Sequence, residues 1–142
     1  MAVILRAGGL RVETYFESFP GPIVPDAEWL AEISKRGWIA LSHDRDIRYD
    51  PLAQRAIMEN GGRFFLLRGH STTAELAQMF LRAVPRVHRM IDRRSPPFMA
   101  VVRRAATHAD PLRVEVAVTL TLDQWRARKA EEKDGETGDL PL

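Results

Sequence analysis

Two short apolar runs, each preceded by an amphipathic helical pattern, constrain the fold of this chain most strongly. Residues 38–42 (WIALS) and 64–67 (FFLL) are apolar without a helical period, which is typical of strands buried on both faces of a parallel sheet. Helices are expected before them, over residues 26 to about 36 and 50 to about 60. This repeated helix–strand order predicts an α/β domain with three layers and a mostly parallel sheet.

The remaining pattern adds elements on either side of this unit. Alternation of apolar and polar residues predicts a strand over 12–19, and residues 43–49 are expected to form a polar turn. A capping box predicts the start of a long helix over 73 to about 91, which Pro85 should kink or offset. Two antiparallel strands joined by an Asp110-Pro111 turn and a last helix complete the predicted order over residues 98–102, 112–120 and 121–129.

Composition limits the classes to which the chain can belong. The 142 residues fit one domain, placed at 1–130, and the charged residues from 131 to 142 are expected to form a disordered acidic tail. There are no cysteines, which excludes disulfides and thiolate metal sites. No apolar run is long enough to cross a membrane and no secretion signal is visible, so a cytoplasmic location is expected. The three tryptophans lie on apolar stripes and are expected in the core.

Three aspartates are expected at the carboxyl edge of the predicted sheet, where functional groups of such folds gather. Asp26 lies at the start of a helix, and Asp44 and Asp46 follow the strand at 38–42. Their oxygen ligands suit Mg²⁺ or Mn²⁺, and such an ion can activate water for phosphate hydrolysis. The alternative is local: an aspartate at a helix start is most often a cap, and Asp-x-Asp in a turn often serves backbone hydrogen bonds.

Other catalytic motifs are missing from the sequence. The four histidines have no zinc-binding spacing, no phosphate-binding glycine loop occurs, and there is no Gly-x-Ser-x-Gly motif. A nucleotide-binding α/β domain therefore has little support.

Positive charge is concentrated in the middle of the chain, although the net charge is only +2. Arg82, Arg86, Arg89 and Arg93 follow spacings of 4, 3 and 4, which places them along one face of the long helix. Such a row could bind the phosphates of a single-stranded RNA, in which case affinity should fall steeply with salt. Alternatively, it is the solvated face of an amphipathic helix.

The sequence resembles the PIN-like ribonuclease superfamily, most closely its VapC-like toxins. The resemblance is carried by Asp26-Ala27-Glu28-Trp29-Leu30, and by Arg36-Gly37-Trp38-Ile39 running into Ser42-His43-Asp44-Arg45-Asp46-Ile47. It implies an Mg²⁺- or Mn²⁺-dependent endoribonuclease that acts on RNA and is partnered by a small antitoxin. By this match Asp26, Asp44 and Asp46 are the metal-binding acids, and Ser42 and Glu28 have supporting roles.

One departure from the family pattern is prominent. Family members begin with a central strand that carries an essential aspartate, whereas residues 1–8 here resemble the end of the helix that follows that strand. The domain is therefore expected to be incomplete at its N-terminus, either because the recorded start is internal or because one ligand was lost. The rival hypothesis is a PIN-like module without catalysis that binds a protein or RNA. The RNA target and the oligomeric state, including a homodimer, stay open.

Overall fold

The computed structural model describes residues 1–69, 72–105 and 112–138, except for the side chains of 134–138. Seven helices and four strands lie within these ranges. The helices are α1 (Ala2–Ala7), α2 (Tyr15–Ser18), α3 (Asp26–Lys35), α4 (Arg45–Tyr49), α5 (Pro51–Glu59), α6 (Thr73–Arg93) and α7 (Leu122–Gly138). The strands are β1 (Ile39–Ser42), β2 (Arg63–Leu67), β3 (Phe98–Arg104) and β4 (Val114–Thr121).

The four strands form one sheet in the order β1-β2-β3-β4. β1 pairs in parallel with β2, and β2 in parallel with β3, with Ala40 opposite Phe64 and Phe64 opposite Met99. β4 pairs antiparallel with β3, with a register shift between Met99 and Ala100. The predicted α/β class and mostly parallel sheet are therefore confirmed. β1 is an edge strand of this sheet within the described part of the chain.

Side chains of the central strands alternate between two cores, one on each face of the sheet. On one face, Phe65 and Phe98 pack with the buried side of α6 and with Leu5 of α1. On the other face, Phe64 and Met99 pack with α3 and α5. Because β2 and β3 are covered on both faces, their sequences are almost wholly apolar, which is why no helical or strand period is visible there. The three-layer arrangement follows from these two cores.

Local signals fix the end of α3 and the direction of β1. Gly37 has a φ of 75°, and the amide of Trp38 donates to the carbonyl of Ile33. This left-handed turn ends α3 in a Schellman motif and reverses the chain into β1. The start of α3 therefore lies toward the same edge of the sheet as the end of β1, as the sequence predicts for Asp26 and Asp44.

The predicted strand over 12–19 is wrong. Residues 10–14 belong to no helix or sheet, and Tyr15–Ser18 form α2, whose first turn is capped by Thr14. The burial of the side chains nevertheless alternates along this segment. Leu10 and Val12 are half-buried against the core, whereas Arg11 and Glu13 are exposed. The pattern matches the alternation of burial, but a strand also needs a partner, and no described strand pairs with this segment.

Three further expectations differ from the structure. The polar turn at 43–49 contains a short helix, α4, because Asp44 caps it and Ile47 buries its apolar side. Trp38 is 39% exposed at the β1 edge rather than in the core, while Trp29 and Trp125 are partly buried against it. α7 continues to Gly138 and so includes the first eight residues of the segment expected to be disordered. The Asp110-Pro111 turn and residues 139–142 lie outside the described residues.

Pro85 is accommodated within α6, which runs without a break from Thr73 to Arg93. A search of the described residues finds no helix with the length and apolar character needed to span a bilayer.

Candidate functional site

Two of the three predicted acids follow β1 directly, at the carboxyl edge of the sheet. The Asp44 amide donates to Ser42 Oγ at 3.0 Å, and Asp44 Oδ1 accepts the Asp46 amide at 2.9 Å. Asp44 is thus the N-cap of α4. Both carboxylates are exposed. These hydrogen bonds agree with the alternative in which the Asp-x-Asp pattern caps a helix and bonds the local backbone. The second carboxylate oxygen of Asp44 makes no hydrogen bond to any described residue.

The Asp46 and Glu28 carboxylates differ from that of Asp44. Neither makes a hydrogen bond or ion pair to another described side chain, and both lie in the first turn of a helix, α4 for Asp46 and α3 for Glu28. Helix capping by a side-chain hydrogen bond therefore does not explain why these two positions carry acidic residues. Their negative charge has a favourable interaction with the helix N-terminus, which amounts to about 0.3–1 kcal/mol each.

Asp26 is the first residue of α3 and is half-buried. Its Oδ1 accepts a hydrogen bond from Trp29 Nε1 at 2.9 Å, a bond that fixes the indole on the first turn of the helix. The indole edge packs against the ring of Tyr15 at a centroid distance of 6.2 Å. The acid and the tryptophan of the sequence motif are therefore in direct contact, and Asp26 has a structural role of its own.

The structure does not bring the three aspartates into one ligand set. No group of three or more His, Cys, Asp or Glu side chains in the described ranges is placed to hold a metal ion. The oxygen donors that are present still fit a hard cation, because Mg²⁺ commonly binds one or two carboxylates and keeps several waters. Asp44 and Asp46, which are exposed and adjacent on one turn, are the pair that meets this requirement.

The predicted arginine row is present on α6. Arg82, Arg86, Arg89 and Arg93 span about 16 Å along the helix axis at 1.5 Å per residue. None of them, nor Arg94, forms a salt bridge with a described residue, whereas Arg6, Arg36, Arg55, Arg103 and Arg104 each pair with a glutamate. Arg86, Arg89, Arg93 and Arg94 line a surface cavity of about 830 Å³ together with Ser95 and Val116.

The acids and the arginines lie toward opposite ends of the sheet. α6 begins after the carboxyl end of β2 and ends before the amino end of β3, so the cluster at its C-terminal end lies toward the amino edge. Asp44 and Asp46 lie at the carboxyl edge. Arg82, in the middle of α6, is the member of the row nearest to the acids along the helix. A nucleic acid that contacts both groups has to extend along α6.

The comparisons with known proteins agree with the sequence motifs. Residues 1–69 match the family described as "PIN like domain". The chain is also 29% identical over 75 residues, 51% of its length, to a Mycobacterium tuberculosis protein named "Putative ribonuclease VapC45". The match covers 54% of that relative, so the chain spans about half the length of the curated protein it resembles. No solved structure matches.

The fold and these two matches together support a PIN-like, VapC-like domain in this chain. The residues that match the family, 1–69, and the motif residues lie in the first half of the chain, which contains α3, β1 and the three aspartates. The resemblance inferred from Asp26 and from the Ser42-x-Asp44-x-Asp46 pattern is confirmed.

Proposed function

We propose that the chain is a PIN-like endoribonuclease that hydrolyses RNA phosphodiester bonds with Mg²⁺ or Mn²⁺. The observation that carries the proposal is the placement of Asp44 and Asp46 immediately after β1, in the segment that matches the PIN-like family. The ribonuclease named among its relatives supports the substrate class.

In this proposal each acidic side chain has a separate task. Asp44, whose second oxygen is not used to cap α4, would help to hold the metal, and Asp46 would be a second ligand or would orient the attacking water. Asp26, fixed by Trp29, would act through a water, since the described residues contain no group of three acids placed to hold an ion, and Glu28 lies two residues further on in the same helical turn. Ser42 holds the Asp44 backbone and so positions its carboxylate. The bound ion would activate water and stabilise the charge that develops on the phosphate.

The α6 arginines are proposed to hold the RNA backbone. Each guanidinium is free of acidic partners in the described structure, so it can donate to a phosphate without first breaking an ion pair. Because the row extends away from Asp44, it is expected to bind a stretch of single strand at a distance from the cut bond.

We further propose that the chain is the toxin of a toxin–antitoxin pair, with a small antitoxin as its protein partner and the cytoplasm as its location. The support is the VapC-like resemblance alone.

A PIN-like module without catalysis is the second candidate. The observation that favours it is the lack of a three-member ligand set among the described residues. In that case Asp26 and Asp44 serve only Trp29 and the cap of α4, and the arginines bind a partner independently of any hydrolysis.

The test is cleavage of an end-labelled single-stranded RNA by the purified chain with Mn²⁺, Mg²⁺ or EDTA. The proposal predicts metal-dependent cleavage that Asp44→Asn lowers at least about a hundredfold, since the loss of a charged ligand removes several kcal/mol of transition-state stabilisation. Asp50→Asn is the matched control, because Asp50 caps α5 through an identical 2.9 Å bond to the amide of Leu52. Equal cleavage by the two variants, or none by the unmodified chain, would favour the inert module.

A further inference from the structure

We infer that Tyr49 is a base-stacking residue of the candidate site and holds an unpaired base of a single-stranded RNA. The inference rests on the proposed function, because it places the substrate at the same site. Tyr49 is the last residue of α4, the short helix that Asp44 caps and that carries Asp46. Its side chain is 70% exposed. One short helix therefore presents both the two acids and a large exposed ring.

The position of Tyr49 on α4 brings its ring next to Asp46. Ile47 is buried among residues of α3 and α5, so the opposite side of α4 faces solvent. Asp46 and Tyr49 are both exposed and are three residues apart. Side chains at this spacing are neighbours on a helix surface, with Cβ atoms about 5–6 Å apart. A base stacked on Tyr49 therefore belongs to a nucleotide beside the phosphate on which Asp46 would act.

The Tyr49 ring has no packing role that accounts for it. It belongs to neither core of the sheet, and within the described part of the chain it packs against no other aromatic ring. Phe16 is equally exposed, at 71%, but it packs edge-on against Tyr15 at a centroid distance of 5.2 Å. Single exposed apolar residues are common on protein surfaces, so the position of Tyr49 beside the acids and the charge around it are decisive.

Two arginines of α4 surround the ring with positive charge. The Arg48 guanidinium carbon lies 5.3 Å from the centroid of the Tyr49 ring, in a cation–π contact. The Arg48 backbone is fixed as well, since its carbonyl accepts a hydrogen bond from Gln54 Nε2 at 2.6 Å. Arg45 is exposed, and neither arginine forms a salt bridge with a described residue. An aromatic face beside unpaired cations is typical of surfaces that bind single strands, where bases stack on the ring and phosphates contact the cations.

A stacking contact at this position determines which RNA can reach the acids. In a duplex each base is stacked between its neighbours and is not available to a protein ring, so Tyr49 selects an unpaired base. Stacking uses the face of the base and needs no hydrogen bond to its edge, and every base has such a face. We therefore expect weak preference among the four bases and strong preference for a single strand over a duplex at this site.

The test is photo-crosslinking of the full chain to single-stranded RNAs that carry 5-iodouridine at one position each. EDTA is present, so that the strand stays intact and the result does not depend on cleavage. Irradiation joins iodouracil to an aromatic ring with which it is stacked, and trypsin then releases residues 49–55, in which Tyr49 is the only aromatic residue. We expect a crosslink in this peptide, located by mass spectrometry, and its loss when the complementary strand is annealed.

Three variants measure the contribution of the ring to RNA affinity, by fluorescence anisotropy in EDTA. Tyr49→Ala should weaken binding of single-stranded RNA at least about fivefold, the lower end of the usual effect of losing one stacked base. Tyr49→Phe keeps the ring and should bind like the unmodified chain. Phe16→Ala is the matched control, because it removes an equally exposed ring from α2, and it should also bind like the unmodified chain.

The outcomes separate this inference from the proposed nuclease function. Crosslinks confined to other residues, a Tyr49 crosslink that persists in the duplex, undetectable RNA binding, or equal affinity of Tyr49→Ala and the unmodified chain would overturn the inference. Cleavage with Mn²⁺ is measured in parallel. A Tyr49 crosslink and a fivefold loss in Tyr49→Ala without any cleavage would support the base contact and contradict the nuclease function. Cleavage that Asp44→Asn abolishes, with no contact at Tyr49, would contradict the base contact alone.

Discussion

The carboxylates at the carboxyl edge of the sheet and the arginines of α6 differ in the bonds that they make with the rest of the chain. Asp44 caps α4 and Asp26 holds the Trp29 indole, so each of these acids already has a structural task. The arginines of the α6 row have no acidic partner in the described residues, a feature they share with Arg11, Arg45 and Arg48, while five other arginines pair with glutamates. Local structure therefore accounts for much of the acidic site, whereas no described ion pair accounts for the arginine row.

This difference shows where a functional interpretation is needed. A cap stabilises its helix by about 1 kcal/mol, which is reason enough for Asp44 to be an aspartate. A row of like charges on one helix face repels itself and is not stabilising. Asp46 resembles the arginines in this respect, since its carboxylate makes no hydrogen bond or ion pair with a described side chain.

After the loss expected for Asp44→Asn, the next largest effect is expected at Asp46. Asp46→Asn should lower metal-dependent RNA cleavage at least about tenfold, because it removes a ligand or water-orienting charge. Its free energy of unfolding in urea should change by less than about 1 kcal/mol, the value of one charge at a helix N-terminus. Cleavage at the unmodified rate would place Asp46 outside the site.

The next effect is on RNA affinity and its salt dependence. Removing two charges with Arg86→Gln and Arg89→Gln should weaken binding of single-stranded RNA about tenfold and reduce the slope of log K against log salt by about 1.4, or about 0.7 per phosphate contact. The matched control is Arg36→Gln with Arg55→Gln, which removes two arginines that pair with glutamates on α3 and α5. Equal losses in both double variants would indicate a general charge effect instead of a binding row.

The smallest effect concerns the helix that carries the row. Thr72 Oγ1 accepts the Glu75 amide at the start of α6, so Thr72→Ala should destabilise the fold by about 1 kcal/mol. Thr73→Ala, one residue further on, loses no described cap and should cost less. RNA affinity measured well below the melting temperature should be the same for both variants. A parallel loss of affinity in Thr72→Ala would mean that helix stability, and not only arginine charge, controls binding.

Much of the fold could be predicted because its signals are local. Pro51 and the capping residues mark the starts of α5 and α6, and Gly37 marks the end of α3. Apolar runs then identify β1, β2 and β3. The strand expected over 12–19 failed for a non-local reason: alternation specifies one buried side, but pairing depends on a neighbour elsewhere in the chain. For the same reason the exposure of Trp38 could not be predicted from its apolar surroundings in sequence.

The sequence predicted which residues form the candidate site, but it could not predict how their side chains are arranged in space. The sequence placed Asp26, Asp44 and Asp46 at one edge of the sheet, which agrees with the chain direction of α3 and β1. Whether their oxygens converge depends on loop conformations and side-chain rotamers that spacing does not encode. The hydrogen bond from Trp29 to Asp26 is such a detail, although the three-residue spacing on a helix indicates that the two side chains can meet.

The most direct test of the account is metal binding itself, measured by thermal unfolding with and without millimolar Mn²⁺. A ligand that binds the folded state raises the melting temperature, and binding at about ten times Kd contributes about 1.4 kcal/mol. We expect a rise of at least about 3 °C for the unmodified chain and for Asp50→Asn, and less than half of that rise for Asp44→Asn. No rise in the unmodified chain, or the same rise in Asp44→Asn, would contradict it.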